Sequence, residues 1–141
     1  MTKIKCSQTG SALRTSLITI VAIVILLGIA VYMLPKGYND DLSLIGHGTS
    51  VVVLIQNKGA QQSMDLINML NHIRSDYEDN VNFLIADSDT PEGKAFEQQQ
   101  HLDSSVLVLF APDGTRLKVI DNKIDEAGLR MTLNNAFRLS P

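Results

Sequence analysis

Residues 106–120 read VLVLFAPDGTRLKVI and predict a β-hairpin. The first five residues are all apolar, as expected of a strand that is buried on both faces of a sheet. Pro112 and Gly114 follow in the APDG segment, where proline and glycine favour a tight turn. Residues 115–120 alternate well enough to return as an antiparallel strand. The hairpin therefore predicts an antiparallel edge in the sheet.

Two more apolar strands precede the hairpin, and three helices connect or follow the strands. Residues 51–56, VVVLIQ, and residues 81–86, VNFLIA, both have the composition of buried strands. Thr90 and Asp125 are predicted N-caps of the second and third helices. The first helix is predicted from residues at helical spacing, which are Ala60, Met64, Ile67, Leu70 and Tyr77. This spacing places Met64 in or near the core.

The predicted order of elements in this domain is β-α-β-α-β-β-α. Two β-α-β units predict parallel strand pairings, and the hairpin adds an antiparallel one. Because the first three strands are apolar throughout, helices must cover both faces of the sheet. We expect an α/β fold with a mixed sheet of about four strands flanked by helices.

An uncharged apolar run, TSLITIVAIVILLGIAVYMLP, occupies residues 15–35 before this domain. Roughly 20 apolar residues in a helix match the roughly 30 Å hydrocarbon core of a bilayer. A cleaved signal peptide is the alternative, but its apolar region usually has about 7–15 residues and ends at a small-residue cleavage site. Here the run continues into Tyr32, Met33 and Leu34. The sequence predicts an uncleaved transmembrane helix in contact with the lipid bilayer.

The flanking charges predict the orientation of this helix. Lys3, Lys5 and Arg14 precede the run, whereas Lys36 on the other side is followed by acidic residues. The positive-inside rule then places the N-terminus in the cytoplasm. We expect a single-pass protein of a bacterial inner membrane with a periplasmic C-terminal domain. The expected segments are a cytoplasmic tail (1–14), the transmembrane helix (15–35), a linker (36–48) and the domain (49–141).

The part of the chain beyond the apolar run is acidic. Nine of the 12 Lys and Arg residues and all 15 Asp and Glu residues lie beyond residue 35, which gives that part a net charge of −6. Nucleic-acid-binding proteins present basic surfaces and, for single strands, aromatic stacking platforms. Only 5% of the residues are aromatic. We therefore expect no nucleic acid among the partners.

Cys6 is the only cysteine among the 141 residues. A single cysteine cannot form an intrachain disulfide, a CxxC redox pair or a thiolate metal cluster. Its expected place in the cytoplasmic tail also separates it from the C-terminal domain. Thiol chemistry within that domain is therefore not expected.

Other reactive side chains do not form a recognisable catalytic or metal-binding pattern. Asp87 and Asp89 flank a single serine, but a hard-metal site needs further ligands. Ser104 and Ser105 lie near His101, but nucleophilic catalysis requires a base that a third group orients. We expect no catalytic residues, no metal and no cofactor, and hence no enzyme.

From about residue 50 to residue 137, the chain resembles the thioredoxin superfamily in the order and length of its elements. The segments that carry the resemblance are SVVVLI, VNFLIADSDTPEGKAFEQQQHL and SSVLVLFAPDGTRLKVI, and the VLVLFAPDG hairpin is the most specific. The resemblance implies a thioredoxin-like fold, a WCGPCK redox turn at residues 58–63, a cis-proline at Ser105 and a buried acid within residues 51–53. This chain has KGAQQS, serine and VVV at those places.

These departures remove the residues of the redox reaction. The thiolate is the nucleophile in thiol–disulfide exchange, and a hydroxyl or an amide does not replace it. The sequence therefore excludes a disulfide oxidoreductase for this chain acting alone.

The resemblance also implies a loop surface at which relatives bind extended polypeptide. Its polar side chains suit hydrogen bonding to a partner backbone. The residues of this expected surface are Lys58, Gly59, Ala60, Gln61, Gln62, Ser63, Ser104 and Ser105.

We expect an interaction or assembly module, a subunit or accessory of an envelope complex, whose membrane or periplasmic partners the sequence does not identify. Two alternatives stay open. In the first, the turn is a solvated former active site and contacts are made elsewhere. In the second, the chain is an auxiliary subunit of a thiol-redox or cytochrome/respiratory assembly system whose cysteines lie on a partner.

Overall fold

The computed structural model describes residues 10–33 and 37–139, and it describes the side chains of residues 17–30 and 37–139. The chain divides into two compact units with the boundary between Gly37 and Tyr38.

Among its described residues, the N-terminal unit contains one helix, α1 (Gly10–Met33). All of its described side chains, residues 17–30, are exposed, and most of them are large and apolar. Within the described residues, none of the helices has both the length and the apolar character that a membrane crossing requires. The expected transmembrane segment, 15–35, and the expected tail, 1–14, extend outside the residues whose side chains are described.

The C-terminal unit contains four strands and three α-helices, which are β1 (Ser50–Gln56), α2 (Gln61–Ile73), β2 (Val81–Asp87), α3 (Pro91–Gln100), β3 (Val106–Phe110), β4 (Arg116–Ile120) and α4 (Glu126–Phe137). The strands form one mixed sheet in the order β2-β1-β3-β4. Strands β1 and β2 are parallel, whereas β3 is antiparallel to both β1 and β4. The expected mixed sheet, the flanking helices and the β3–β4 hairpin are confirmed.

The second expected parallel pairing is wrong. Strand β3 pairs with β1 and runs antiparallel to it, so that Val106 lies opposite Ile55 and Phe110 opposite Val51. The chain leaves α3 through His101, whose φ of 54° lies in the left-handed region, and enters β3 at the carboxyl end of β1. An apolar strand has the same pattern in either direction, so the sequence of β3 contains no signal of its orientation.

Helices cover both faces of the sheet, as expected from strands that are apolar throughout. On one face the side chains of α2 and α4 in the core are Leu66, Leu70, Ile73, Leu129 and Leu133. On the other face, Phe96 of α3 packs against the sheet, together with apolar residues of the segment 42–45. Residues 51–55 of β1, at the centre of the sheet, have no exposed surface.

The buried stripe of α2 lies in a different register from the expected one. Met64 was expected in or near the core but is 43% exposed, and Ile67 is only half-buried. Ser63 interrupts the apolar pattern because its hydroxyl is hydrogen-bonded inside the domain, which apolar spacing alone does not reveal. The buried residues of α2 are Ser63, Leu66, Leu70 and Ile73.

Residues 38–48 were expected to belong to the linker, but they pack against the domain. The amide of Ile85 in β2 donates to the carbonyl of Asn39 at 2.9 Å. Further along, the amide of Gly48 donates to the carbonyl of Pro112 in the hairpin turn at 2.9 Å. The glycine, Asp and Asn residues of this segment indicated a linker, but the apolar residues among them, Leu42, Leu44 and Ile45, pack against the core. The compact domain therefore begins at residue 38 rather than at residue 49.

Candidate functional site

The turn between β1 and α2 is short and is closed by its own hydrogen bonds. The side chain of Asn57 accepts from the amide of Gly59 at 2.9 Å, and its carbonyl accepts from the amide of Ala60 at 3.0 Å. Ala60 is the N-cap of α2 and supplies no side-chain hydrogen bond to the helix. The exposed residues of the turn and the first helical positions are Lys58, Gly59, Gln61 and Gln62.

Ser63 does not belong to the exposed surface on which the sequence placed it. Its side chain is fully buried, and its Oγ accepts a hydrogen bond from the amide of Asn57 at 2.9 Å. The same oxygen lies 2.7 Å from the Oγ of Ser105. Ser63 therefore ties the start of α2 to the end of β1 and to the loop before β3, and its hydroxyl is not available to a partner.

The loop that contains Ser104 and Ser105 lies against this turn, and both serines are half-buried. Ser105 has a φ of 67°, a left-handed conformation that costs energy for a residue other than glycine. Its amide donates to the carbonyl of Ile55 at 2.7 Å, so the conformation is held by the end of β1. The structure thus brings the turn and the serine loop together at one end of the sheet.

An ion pair flanks the turn on the side of β2. The Nζ of Lys58 lies 2.5 Å from a carboxylate oxygen of Asp87, the last residue of β2. The hydrogen bond from Lys58, followed by one from the amide of Asp89, holds the pKa of the Asp87 carboxyl below its ordinary value. The pKa of Lys58 is raised by the same partner. Both groups are therefore charged at neutral pH.

A cavity of about 420 Å³ opens beside this ion pair, at the carboxyl ends of the parallel strands β1 and β2. Ligands in open α/β sheets bind at such strand ends. Sequence reasoning missed the cavity because its walls include residues from the segment that was expected to be a linker. Its lining residues are Tyr38, Asp40, Leu42, Gln56, Lys58, Ile85, Ala86, Asp87, Thr90, Glu92 and Gly93.

The remaining residues that the sequence singled out do not converge on a reactive centre. His101 is exposed at the end of α3, and no hydrogen bond between described residues joins its imidazole to Ser104 or Ser105. In the part of the chain that the structure describes, no group of three or more His, Cys, Asp or Glu residues could hold a metal ion. Cys6 lies outside the described residues.

Comparison of sequences gives no match, either to a protein-family model or to a curated protein. Comparison of structures gives many matches among solved structures. A mutant thioredoxin from Halobacterium salinarum has a TM-score of 0.61 at 17% identity, covering 74% of this chain and 92% of that one. Trxlp from Edwardsiella tarda has a TM-score of 0.58 at 17% identity, with coverages of 68% and 95%.

Thioredoxin O2 from Arabidopsis thaliana, in its oxidized state, has a TM-score of 0.57 at 13% identity, covering 67% of this chain and 84% of that one. Similarity at these identities concerns the fold alone. The chain therefore has a thioredoxin-like fold, as its resemblance implied.

Proposed function

We propose that the chain is a membrane-anchored binding module that uses the β1–α2 turn and the adjacent serine loop to bind a partner polypeptide, without exchanging disulfides itself. The observation that carries the proposal is the hydrogen-bonded pair of Ser63 and Ser105, whose Oγ atoms lie 2.7 Å apart where the two loops meet. Thiol–disulfide exchange needs a thiolate, and hydroxyls occupy the meeting point of the loops here.

The exposed part of the site suits a polar partner backbone. The side-chain amide of Gln62 is exposed on the first turn of α2. The side-chain amide of Gln61 donates to the carboxylate of Asp65 at 2.9 Å. Lys58 is exposed but paired with Asp87, so its position beside the turn is fixed. We call Lys58, Gly59, Gln61, Gln62 and Ser104 the turn surface. Side-chain amides can both donate to and accept from an extended polypeptide.

The membrane anchor is part of the same proposal. The uncharged run 15–35, the exposed apolar side chains of residues 17–30 and the basic N-terminal flank support a single transmembrane helix. In this arrangement the N-terminus is cytoplasmic and the C-terminal domain is periplasmic in a bacterial inner membrane. Labelling of Cys6 by a membrane-impermeant maleimide in intact cells would contradict that orientation.

Site-specific photo-cross-linking tests the binding role. A photoreactive amino acid replaces Gln62 in the full-length protein in its native host, and Asn122, an exposed residue of the β4–α4 loop, serves as the matched control position. The proposal expects one discrete cross-linked protein from position 62 and none of that size from position 122. Equal cross-linking at both positions, or none at position 62, would contradict it.

A second candidate function is that of an auxiliary subunit in a thiol-redox or cytochrome assembly system whose cysteines lie on the partner. The thioredoxins among its structural neighbours favour this reading at the level of the fold. The redox state of the cross-linked partner separates the two functions. A partner whose cysteines change oxidation state when this chain is deleted supports the auxiliary role, and a partner without such a change supports an assembly role.

A further inference from the structure

We propose that residues 38–45, which we call the strap, form a lid that opens as a unit and controls access to the cavity beside Lys58 and Asp87. Three strap residues, Tyr38, Asp40 and Leu42, form one wall of that cavity. The opposite wall comes from the carboxyl ends of β1 and β2 and from the start of α3. Removal of the strap would therefore leave the cavity open along one side.

The N-terminal end of the strap is held by a small set of contacts. The hydroxyl of Tyr38 donates to the side-chain oxygen of Asn71 in α2 at 2.9 Å. The guanidinium carbon of Arg74 lies 4.8 Å from the centre of the Tyr38 ring, within cation–π range. The carbonyl of Asn39 accepts from the amide of Ile85 on the outer edge of β2. We call these three contacts the latch.

The residues that directly follow the strap have the features of a hinge. Gly46 and Gly48 have φ values of 86° and 90°, which other residues rarely adopt. Gly46 packs against Gly114 in the hairpin turn so closely that a Cβ on Gly114 would lie 3.2 Å from the Gly46 Cα. The amide of Gly48 donates to Pro112 in the same turn. The glycines can absorb a change in backbone angles, while the hairpin turn holds their position.

The burial of the strap indicates that it opens more easily than the central strand β1. Its apolar side chains, Tyr38, Leu42, Leu44 and Ile45, all remain partly exposed, whereas residues 51–55 of β1 are completely buried. Segments with little fully buried surface open locally, at a free-energy cost below that of global unfolding.

Opening has two consequences at the surface. The cavity beside the Lys58–Asp87 ion pair becomes more open to solvent, and the amide of Ile85 loses its hydrogen-bond partner on the edge of β2. An edge amide without a partner can pair with another extended chain. Opening of the strap thus exposes a cavity that shares Lys58 with the turn surface.

Hydrogen exchange of single backbone amides in the full-length protein, kept in detergent, tests the strap. Exchange of the Ile85 amide measures opening of the strap, because this amide is bonded to Asn39. Leu84 and Ala86 are its buried neighbours, and because successive amides of a strand alternate in direction, theirs point toward β1. We expect Ile85 to exchange faster than both neighbours in the wild type. The change Tyr38→Ala should raise the exchange rate of the Ile85 amide about tenfold, because it removes a hydrogen bond and a cation–π contact.

The conservative variant Tyr38→Phe keeps the ring beneath Arg74, so it should raise the exchange rate of the Ile85 amide by a smaller factor. Equal exchange of residues 84–86 in the wild type would overturn the proposal, since the strap would then open only with the whole domain. A uniform acceleration of all three amides by Tyr38→Ala would also overturn it.

Access to the cavity is measured independently by thiol labelling. Ala86 lines the cavity and is 1% exposed. In a Cys6→Ser background, the thiol of an Ala86→Cys variant should react with iodoacetamide several-fold faster when Tyr38→Ala is added. An unchanged labelling rate would show that the strap does not control the cavity. Neither measurement involves a partner, so failure of the strap proposal and failure of the proposed binding function are distinguishable.

Discussion

The hydroxyl of Ser63 makes the contacts that define the site at the scale of single residues. It accepts from the amide of Asn57 and pairs with the hydroxyl of Ser105, so three segments of the chain share one buried oxygen. A hydroxyl with no oriented base nearby is a poor nucleophile, whereas a satisfied buried hydroxyl stabilises the structure around it. The pair is therefore best understood as a structural connection beneath the turn surface.

Replacement of this hydroxyl should destabilise the domain. The change Ser63→Ala leaves the amide of Asn57 and the hydroxyl of Ser105 without their partner, at a cost of about 1–3 kcal/mol in the free energy of unfolding. Urea denaturation measures the difference. Gln62→Ala is the matched control on the same helical turn, and a change within about 0.5 kcal/mol is expected because the side chain is exposed. Equal effects of the two changes would contradict the geometry of the pair.

The Lys58–Asp87 ion pair should make a small contribution to stability that depends on pH. The pKa of Asp87 is lowered in the folded protein, against about 3.9 for an unperturbed aspartate. Its contribution is present above that ordinary value and is lost as the pH falls through the lower folded value. Wild type should therefore exceed Asp87→Asn in stability at pH 7, and the difference should shrink below about pH 4.

A double-mutant cycle checks the assignment of this ion pair. At pH 7, Lys58→Met and Asp87→Asn should each reduce stability, and the double variant should lose less than the sum of the two. Salt should weaken the coupling because the Lys58 side chain is 63% exposed. Additive effects would show that the two side chains do not interact in solution.

At the scale of elements, features that depend on neighbouring residues were predicted correctly, and features that depend on distant residues were not. Thr90 and Asp125 cap their helices as predicted, each accepting from the amide three residues later. Those contacts depend on neighbouring residues only. The direction of β3 depends on how the chain leaves α3, and the register of α2 depends on Ser63 meeting a residue 42 positions away. Hydrophobic periodicity reveals neither of these two features.

The register of α2 can be tested directly with two truncations on one helix. Leu66 is 1% exposed, so Leu66→Ala should cost about 2–5 kcal/mol in the free energy of unfolding through lost burial and a cavity. Met64 is 43% exposed, so Met64→Ala should change that free energy much less. The apolar spacing read from the sequence had favoured Met64 as a core residue. Similar costs for both truncations in urea denaturation would restore that reading.

At the scale of the whole molecule, the fold was accessible from the sequence but the site only in part. The β-strand, helix and hairpin order indicated the thioredoxin-like architecture, and the resemblance placed the turn near Ser105. The cavity and the strap were not predicted, because residues 38–48 have the composition of a linker. Their packing depends on surfaces of β2 and α3 that exist only after folding.

The docked strap changes where the independently folding domain should begin. Residues 38–141 expressed alone should unfold cooperatively and have a higher midpoint in urea than residues 49–141, because the shorter chain lacks the strap contacts. Reductant and chelator should leave both midpoints unchanged. Equal midpoints for the two lengths would show that the strap adds no stability, and a large loss with chelator would indicate a bound metal.

The central claim is that this thioredoxin-like domain binds without exchanging disulfides, and an insulin-reduction assay tests it most directly. Residues 38–141 are compared with the Ala60→Cys/Ser63→Cys double variant, which places two thiols at CxxC spacing at the start of α2, where the helix dipole lowers a thiol pKa. The variant should form an intramolecular disulfide, which confirms the geometry of the turn. The wild-type domain should leave the rate of insulin reduction by dithiothreitol unchanged. Acceleration by the wild-type domain would contradict the account.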